Sequence, residues 1–142
     1  MRKLLSIFLC LGLAGCATNK ALTQQYVSLY NEAVASGHSV VIVKEGDFET
    51  TKDGVEQQLG SVGYNKNLYA SPIEPFVVLG KGIAYGSPML NGDSQAHKIF
   101  LKYTRIDAGH TRIDLVNGAQ QPSIRDEVDT DIQKLADLIK NS

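Results

Sequence analysis

Residues 97–117 read HKIFLKYTRIDAGHTRIDLVN, two runs of β-forming residues joined by Asp-Ala-Gly-His. Within each run alternate residues are apolar, which is the pattern of a strand with one covered face. We predict a β-hairpin whose turn lies at residues 107–110, where Gly109 can adopt a positive φ. Arg112 and Asp114 alternate to the solvent face. The residues expected on the covered face are Ile99, Leu101, Tyr103, Thr111, Ile113 and Leu115.

Two other stretches have the 3.6-residue period of amphipathic helices. The first is expected to begin near Lys20, after the capping residue Asn19, and to end at Gly37, a residue type favoured just beyond a helix. The second is expected to begin after Ser123 and to end near Lys140. Their apolar stripes are Leu22, Tyr26, Leu29, Tyr30, Ala33 and Val34, and Ile124, Val128, Ile132, Leu135 and Ile139.

The remaining segments predict shorter elements. Val40 to Val43 is an apolar strand with both faces partly covered, and residues 53–62 fit a short helix that begins at a capping-box spacing. Two prolines make residues 65–75 a loop, and an apolar strand resumes at residues 76–79. This order favours an α+β fold, a small antiparallel or mixed sheet of about four strands with two amphipathic helices packed on one face.

The first fifteen residues divide into the three zones of a secretory signal. Residues 2 and 3 are basic, residues 4–13 are apolar, and residues 14 and 15 are small. The apolar run is too short to span a bilayer, which takes about 20 residues in a helix. We therefore predict that residues 1–15 are a signal peptide that is removed from the mature chain.

The segment Leu13-Ala14-Gly15-Cys16 resembles the lipobox of bacterial lipoproteins. In that family the cysteine thiol receives a diacylglyceryl group, cleavage occurs just before it, and the new amine is usually acylated. The resemblance implies that Cys16 is lipidated and anchors the chain to a membrane. Residues 16–19 would be a short tether to one α+β domain over residues 20–142. Because Ala17 and not Asp follows the cysteine, the family rule implies the periplasmic face of the outer membrane in a Gram-negative source.

Composition limits the remaining possibilities. Cys10 leaves with the signal peptide, so no thiol besides Cys16 remains for a disulfide, a metal site or a nucleophile. Without Arg2 and Lys3 the chain has 12 basic and 15 acidic residues, a side-chain charge of about −3. The chain has no basic run and no Trp, so it lacks the electrostatic pattern of a nucleic-acid-binding protein. We expect no nucleic-acid partner and no cofactor.

The chain has three histidines, and no two of them have the i, i+4 spacing of a helical zinc motif. His97 and His110 are predicted at opposite ends of the hairpin and His38 before a strand, so we interpret them as exposed edge or turn residues. A serine hydrolase would need His110 to lie between Ser87 and an acidic hairpin residue such as Asp107. No spacing enforces that arrangement, and the chain lacks a Gly-x-Ser-x-Gly turn. We predict no catalytic residue.

Two further patterns have structural interpretations. Residues 79–86, LGKGIAYG, are rich in glycine, but Ser-Pro follows where a dinucleotide-binding helix would open, so we expect a strand interrupted by glycines. If the strand at residues 40–43 continued, Glu45, Asp47 and Glu49 would share one face with neighbours about 7 Å apart. Such a row can bind Ca²⁺, and a solvated face is the preferred interpretation.

The function predicted from these features is that of a membrane-anchored envelope lipoprotein, a non-enzymatic binding or scaffolding accessory protein with another envelope protein as partner. The alternative is a carrier for a lipid or small hydrophobic ligand, enclosed between helices and sheet. An unrecognised periplasmic hydrolase is the third class. Tyr64, Tyr69 and Tyr85 are candidate contact residues, because tyrosine is favoured at interfaces, and core packing is the competing interpretation.

Overall fold

The computed structural model describes residues 24–66, 76–81 and 97–142. Within them lie three helices and one antiparallel sheet with the strand order β1-β5-β4-β3-β2. The predicted α+β class is confirmed, with five strands instead of four. The elements are α1 (residues 24–35), β1 (Ser39–Glu45), α2 (Phe48–Ser61), β2 (Asn65–Lys66), β3 (Val77–Lys81), β4 (His97–Asp107), β5 (His110–Asn117) and α3 (Pro122–Lys140).

The predicted hairpin is formed by β4 and β5, which pair from Ile99 with Asn117 to the turn. Gly109 does not take the expected positive φ. The turn is held instead by the Asp107 carboxylate, which accepts a hydrogen bond from the Gly109 amide at 2.8 Å. Asp114 was expected at the solvent face, but it is only 8% exposed because the opposite face is also partly covered.

One face of the sheet packs against α2 and α3. The alternate residues of β4 and β5 that were predicted to be covered lie here, and α3 contributes the predicted stripe. Complete burial of side chains of this size contributes about 1.5–3 kcal/mol each, so this layer is the main core. Its fully buried members include Leu59, Ile99, Leu101, Ile113, Leu115, Val128 and Ile139.

The helix α2 begins earlier than predicted. Its N-cap is Asp47, whose carboxylate accepts a hydrogen bond from the Thr50 amide at 3.0 Å, and this bond holds the pKa of Asp47 below its usual range. The sequence predicted that the helix begins at Asp53 and that Phe48 could continue a strand. The local capping bond at Asp47 overrides that β-propensity.

Part of the opposite face of the sheet is covered by α1. The sequence predicted that the two amphipathic helices α1 and α3 share one face, but they lie on opposite faces because β3, β4 and β5 carry apolar residues on both. The Phe100 ring lies 4.9 Å from Phe76 and 5.7 Å from Tyr26, centroid to centroid. This smaller core consists of Tyr26, Ala33, Phe76, Val78, Phe100 and Val116.

The end of α1 fixes how the chain enters β1. Gly37 has the predicted positive φ, 83°. The His38 amide donates to the Ala33 carbonyl at 2.8 Å, and the Gly37 amide donates to the Val34 carbonyl at 3.3 Å. These two bonds make a Schellman motif, which ends a helix and redirects the chain. The turn brings the chain from α1 directly into the first strand of the sheet.

Phe100 provides a test of the second core. Its replacement by alanine should lower the free energy of unfolding by about 3–5 kcal/mol, because the ring fills the space between α1 and the sheet. Ile106→Ala, at the exposed end of the same strand, is the matched control and should cost about 0.5 kcal/mol or less. Denaturant titration followed by circular dichroism measures both. Equal effects would contradict the packing of α1 against β4.

Candidate interaction surface

The first strand, β1, lies at one edge of the sheet formed by the described residues. Its sequence, SVVIVKE, contains four consecutive β-forming residues and no proline. It pairs with β5 over its whole length without a register shift. A regular seven-residue edge strand without a protective bulge or proline is open to pairing with another strand.

The backbone of β1 alternates between the sheet and the edge. The His38 carbonyl accepts a hydrogen bond from the Asn117 amide at 3.0 Å, and the Gly46 amide donates to the Gly109 carbonyl at 2.8 Å. In an antiparallel ladder every second residue is bonded to the same neighbour. The even-numbered residues of β1 therefore bond to β5, and the odd-numbered residues direct their N–H and C=O groups outward.

Two of these odd-numbered residues also have exposed apolar side chains. Val41 is 46% exposed and Val43 is 58% exposed, whereas Ile42 between them is 2% exposed beneath α3. The prediction that both faces of this strand are partly covered is wrong for the two valines, because α1 covers the sheet only beside the Phe100 cluster. The sequence offered one signal of an edge position, the charged pair Lys44-Glu45 at the end of the strand.

An ion pair on β5 borders the two valines. Val41 pairs with Asp114 and Val43 with Arg112, and the Arg112 guanidinium donates to Asp114 at 3.0 Å. That hydrogen bond raises the pKa of Arg112. Burial, and secondly the charge of Asp114, raises the pKa of Tyr30 to about 12. The exposed valines thus lie beside a fixed polar pair and not on a continuous apolar face.

The helix α3 runs beside β1 in the same direction. Near the start of the strand, the Asp129 carboxylate lies 2.6 Å from Nδ1 of His38. Near its end, the Lys44 ammonium donates to the carbonyls of Ile139 and Ser142 at 2.7 Å each. The α3 side of the edge is therefore acidic at one end, and it is basic at the other, where Lys140 is also exposed.

Among the described residues, one groove lies at the start of β1 and another lies beside Lys140 at its end. The groove at the start has a volume of about 280 Å³ and is lined by Ser39, Val40, Asp129, Thr130 and Gln133 among others. The groove at the end has a volume of about 450 Å³, and its lining includes Val43, Lys44, Lys140 and the acidic Glu45. Both are open clefts with charged linings, so they suit contact with a polar surface.

The polar contacts of α3 near the start of β1 and the end of β5 have a structural role. The Asn117 side-chain amide donates to the Asp129 carboxylate and to the Arg125 carbonyl at 2.8 Å each, and its oxygen accepts from the Ala119 amide. His97 lies 2.5 Å from Glu127 of α3. These contacts tie the N-terminal half of α3 to the starts of β1 and β4 and the end of β5. The expectation of exposed histidines therefore fails for His38 and His97, which are half-buried.

The hydrolase candidates do not form a cleft among the described residues. His110 and Asp107 are 2.8 Å apart, and their hydrogen bond lowers the pKa of Asp107, but both are exposed on the hairpin turn. His97 lies at the far end of β4, as predicted. Ser87 lies outside the described residues.

The structure does not bring the other candidate side chains together either. Glu45 ends β1, Asp47 caps α2 and Glu49 lies in the first turn of α2, so the three do not form a row on one strand. Within the described ranges no three histidine, cysteine, aspartate or glutamate side chains are grouped to hold a metal ion. Of the glycine-rich segment 79–86, the structure describes only residues 79–81, the end of β3.

Of the three tyrosines considered as contact residues, Tyr64 is 1% exposed and belongs to the main core. Its hydroxyl donates to the Asp131 carboxylate at 2.6 Å, and burial followed by this bond raises its pKa. At this position the competing interpretation, core packing, is therefore correct. Tyr69, Tyr85 and the lipidation candidate Cys16 lie outside the described residues.

The chain matches no protein-family model, no curated protein and no solved structure. In the part of the chain that the structure describes, no helix has the length and apolar character required to cross a membrane. The surface along β1 is therefore interpreted from its own geometry.

The raised pKa of Tyr30 predicts that the free energy of unfolding decreases at high pH. Its pKa is about 12 in the folded chain and 10.0 when exposed, so folding favours the protonated phenol. Its contribution is complete below pH 10 and is lost as the pH rises through about 12. Denaturant midpoints at about pH 8 and about pH 11 measure this decrease, which Tyr30→Phe should reduce. An unchanged decrease in Tyr30→Phe would contradict the placement of Tyr30 against Asp114.

Proposed function

We propose that this chain is a lipid-anchored envelope protein that acts by binding or scaffolding a protein partner and has no catalytic activity of its own. The observation that carries this proposal is the outer edge of β1. Among the described residues no strand pairs with this edge, and Val41 and Val43 present exposed side chains there together with outward-directed backbone groups. Pairing with an added strand supplies affinity through main-chain hydrogen bonds, and alternate side chains supply specificity.

The anchor is proposed from residues 13–16, the lipobox-like segment. Two or three acyl chains on Cys16 would hold the protein at the membrane, since one chain gives only marginal binding. The first described residue of α1, residue 24, lies eight positions after Cys16, and at about 3.3 Å per position the chain between them reaches at most about 26 Å. The β1 surface would thus act close to the bilayer, at the periplasmic face of the outer membrane in a Gram-negative source.

The carrier hypothesis has less support among the described residues. The helices α2 and α3 pack on the sheet through fully buried side chains such as Leu59, Val128 and Ile132. The grooves beside β1 are open and lined largely by polar residues, whereas a site for a hydrophobic ligand is enclosed and mostly apolar. The hydrolase hypothesis has no described cleft that gathers its candidates.

The lipidation proposal predicts the behaviour of Cys16→Ser. This variant should accumulate as uncleaved precursor without attached fatty acid, because the thiol is the site of the modification that precedes cleavage. Metabolic labelling with a fatty acid and the mass of the product measure the effect. Cys10→Ser, within the predicted signal peptide, is the matched control and should be processed normally. Cleavage and membrane attachment of Cys16→Ser would contradict the proposal.

The binding proposal predicts contacts at Val43. A photo-crosslinking residue at this position of the full chain, expressed in its own envelope, should give a discrete crosslinked protein. The same residue at Ile106, which is 52% exposed on β4 and not on the edge strand, is the control and should give several-fold less. If neither position yields a crosslink, binding through β1 is excluded.

A further inference from the structure

We infer that the partner of β1 is a second copy of this chain, and that the two β1 strands pair antiparallel about a two-fold axis at Ile42. The inference rests on the proposed function, because a shared membrane would hold the copies side by side. A two-fold interface uses the same patch on both subunits, so that patch must be complementary to itself. The edge of β1 meets this requirement in its backbone, its side chains and its charges.

The backbone permits one register that uses the whole edge. If Ile42 lies opposite Ile42 of the second copy, Val41 pairs with Val43 and Ser39 pairs with Glu45, each in both directions. All four outward-directed residues are then paired, with about eight backbone hydrogen bonds. If the two-fold axis lay at Val41 or at Val43 instead, one end residue of the edge would have no partner in the other copy.

The side chains favour the same register. On the α1 face, the exposed valines of both copies come together as two Val41–Val43 cross-strand pairs, the kind of contact that stabilises a sheet by about 0.2–1 kcal/mol per pair. Ser39 lies opposite Glu45, whose carboxylate can accept a hydrogen bond from the serine hydroxyl. The Arg112–Asp114 pairs flank the valines on both sides, which gives the apolar stripe a polar rim.

The charges along α3 are arranged for antiparallel association. Because α3 runs with β1, the two-fold axis places the Lys44 and Lys140 end of one copy beside the Asp129 end of the other. The groove of about 280 Å³ at the start of one strand then faces the groove of about 450 Å³ at the end of the other. A parallel arrangement would bring like charges together, at a cost in free energy.

The geometry is also compatible with a shared membrane. In this register equivalent residues of the two copies lie on the same face of the joined sheet, because Val41 and Val43 have the same orientation. Both α1 helices are therefore on one side. Residue 24, at the described start of each α1, lies on that side in both copies, so both lipid groups could enter the same bilayer.

Cysteine pairs test the register in the full-length protein in its own envelope. Val41→Cys/Val43→Cys should give several-fold more disulfide-linked dimer after mild oxidation than either single variant, since residues directly opposite each other approach more closely than the diagonal pairs that a single variant offers. Wild type and Ile106→Cys measure the background. Efficient crosslinking by Val41→Cys alone or Val43→Cys alone would show a different register and overturn the inference, as would the absence of dimer in the double variant.

A charge at the interface tests association itself. Purified wild-type lipoprotein in detergent should sediment as a dimer, whereas Val43→Lys should be monomeric because a lysine would be buried beside Arg112. Ile106→Lys is the matched control and should remain dimeric, and circular dichroism verifies folding of both. A monomeric wild type overturns the inference.

The outcomes separate this inference from the proposed function. If Cys16→Ser blocks processing and Val43 crosslinks only to a different protein, the anchored binding protein stands and the dimer is wrong. If Cys16→Ser is processed normally but the wild type is dimeric with the predicted cysteine pattern, the dimer stands and the lipid anchor is wrong.

Discussion

The structure depends on the alternation of side chains along β4 and β5. One set, which includes Ile99, Leu101 and Ile113, forms the face on which α2 and α3 pack. The other set begins with Phe100 and Val116 and continues into polar residues such as Thr104 and Arg112. The second face is therefore apolar over only part of its length. One short helix covers that part, and the face beyond it stays open at the edge strand.

This partial covering explains why the candidate interaction surface lies on β1. The strand is held from one side by β5 and from below by α3, and its contacts with α3 are fixed at both ends by His38 and Lys44. Its outward backbone groups have no paired strand among the described residues, and the side chains of Val41 and Val43 are exposed. This attachment would favour the proposed pairing, because an edge strand that is already ordered loses little conformational entropy when a second strand pairs with it.

Sequence periodicity predicted the parts of the fold that depend on local pattern. A short stretch of sequence determines each of these parts, which are the hairpin, the α3 stripe and the C-terminal turn of α1 at Gly37. A short stretch of sequence does not determine the face of the sheet on which α1 packs, because that face depends on which side of a distant strand Phe76 and Val78 occupy. The early start of α2 was missed because Phe48 has a strand-forming side chain and the decisive capping bond comes from Asp47.

The candidate site was less predictable than the fold. Residues 40–43 form an apolar run, and such a run indicates a covered strand unless the strand lies at an edge. Edge position is a property of the whole sheet order, so the exposed valines could be recognised only in the structure. The histidines show the same limitation, since His38 and His97 find their carboxylate partners on α3, far away in sequence.

Residue-resolved amide hydrogen exchange of the lipidated protein tests the central claim, that the outer edge of β1 is open in one chain and closed by a second. At the lowest concentration the amides of Val40, Ile42 and Lys44 should be protected by β5, while those of Val41 and Val43 exchange rapidly. At high concentration Val41 and Val43 should become protected as well. Protection of these two amides at every concentration, or at none, would contradict the claim.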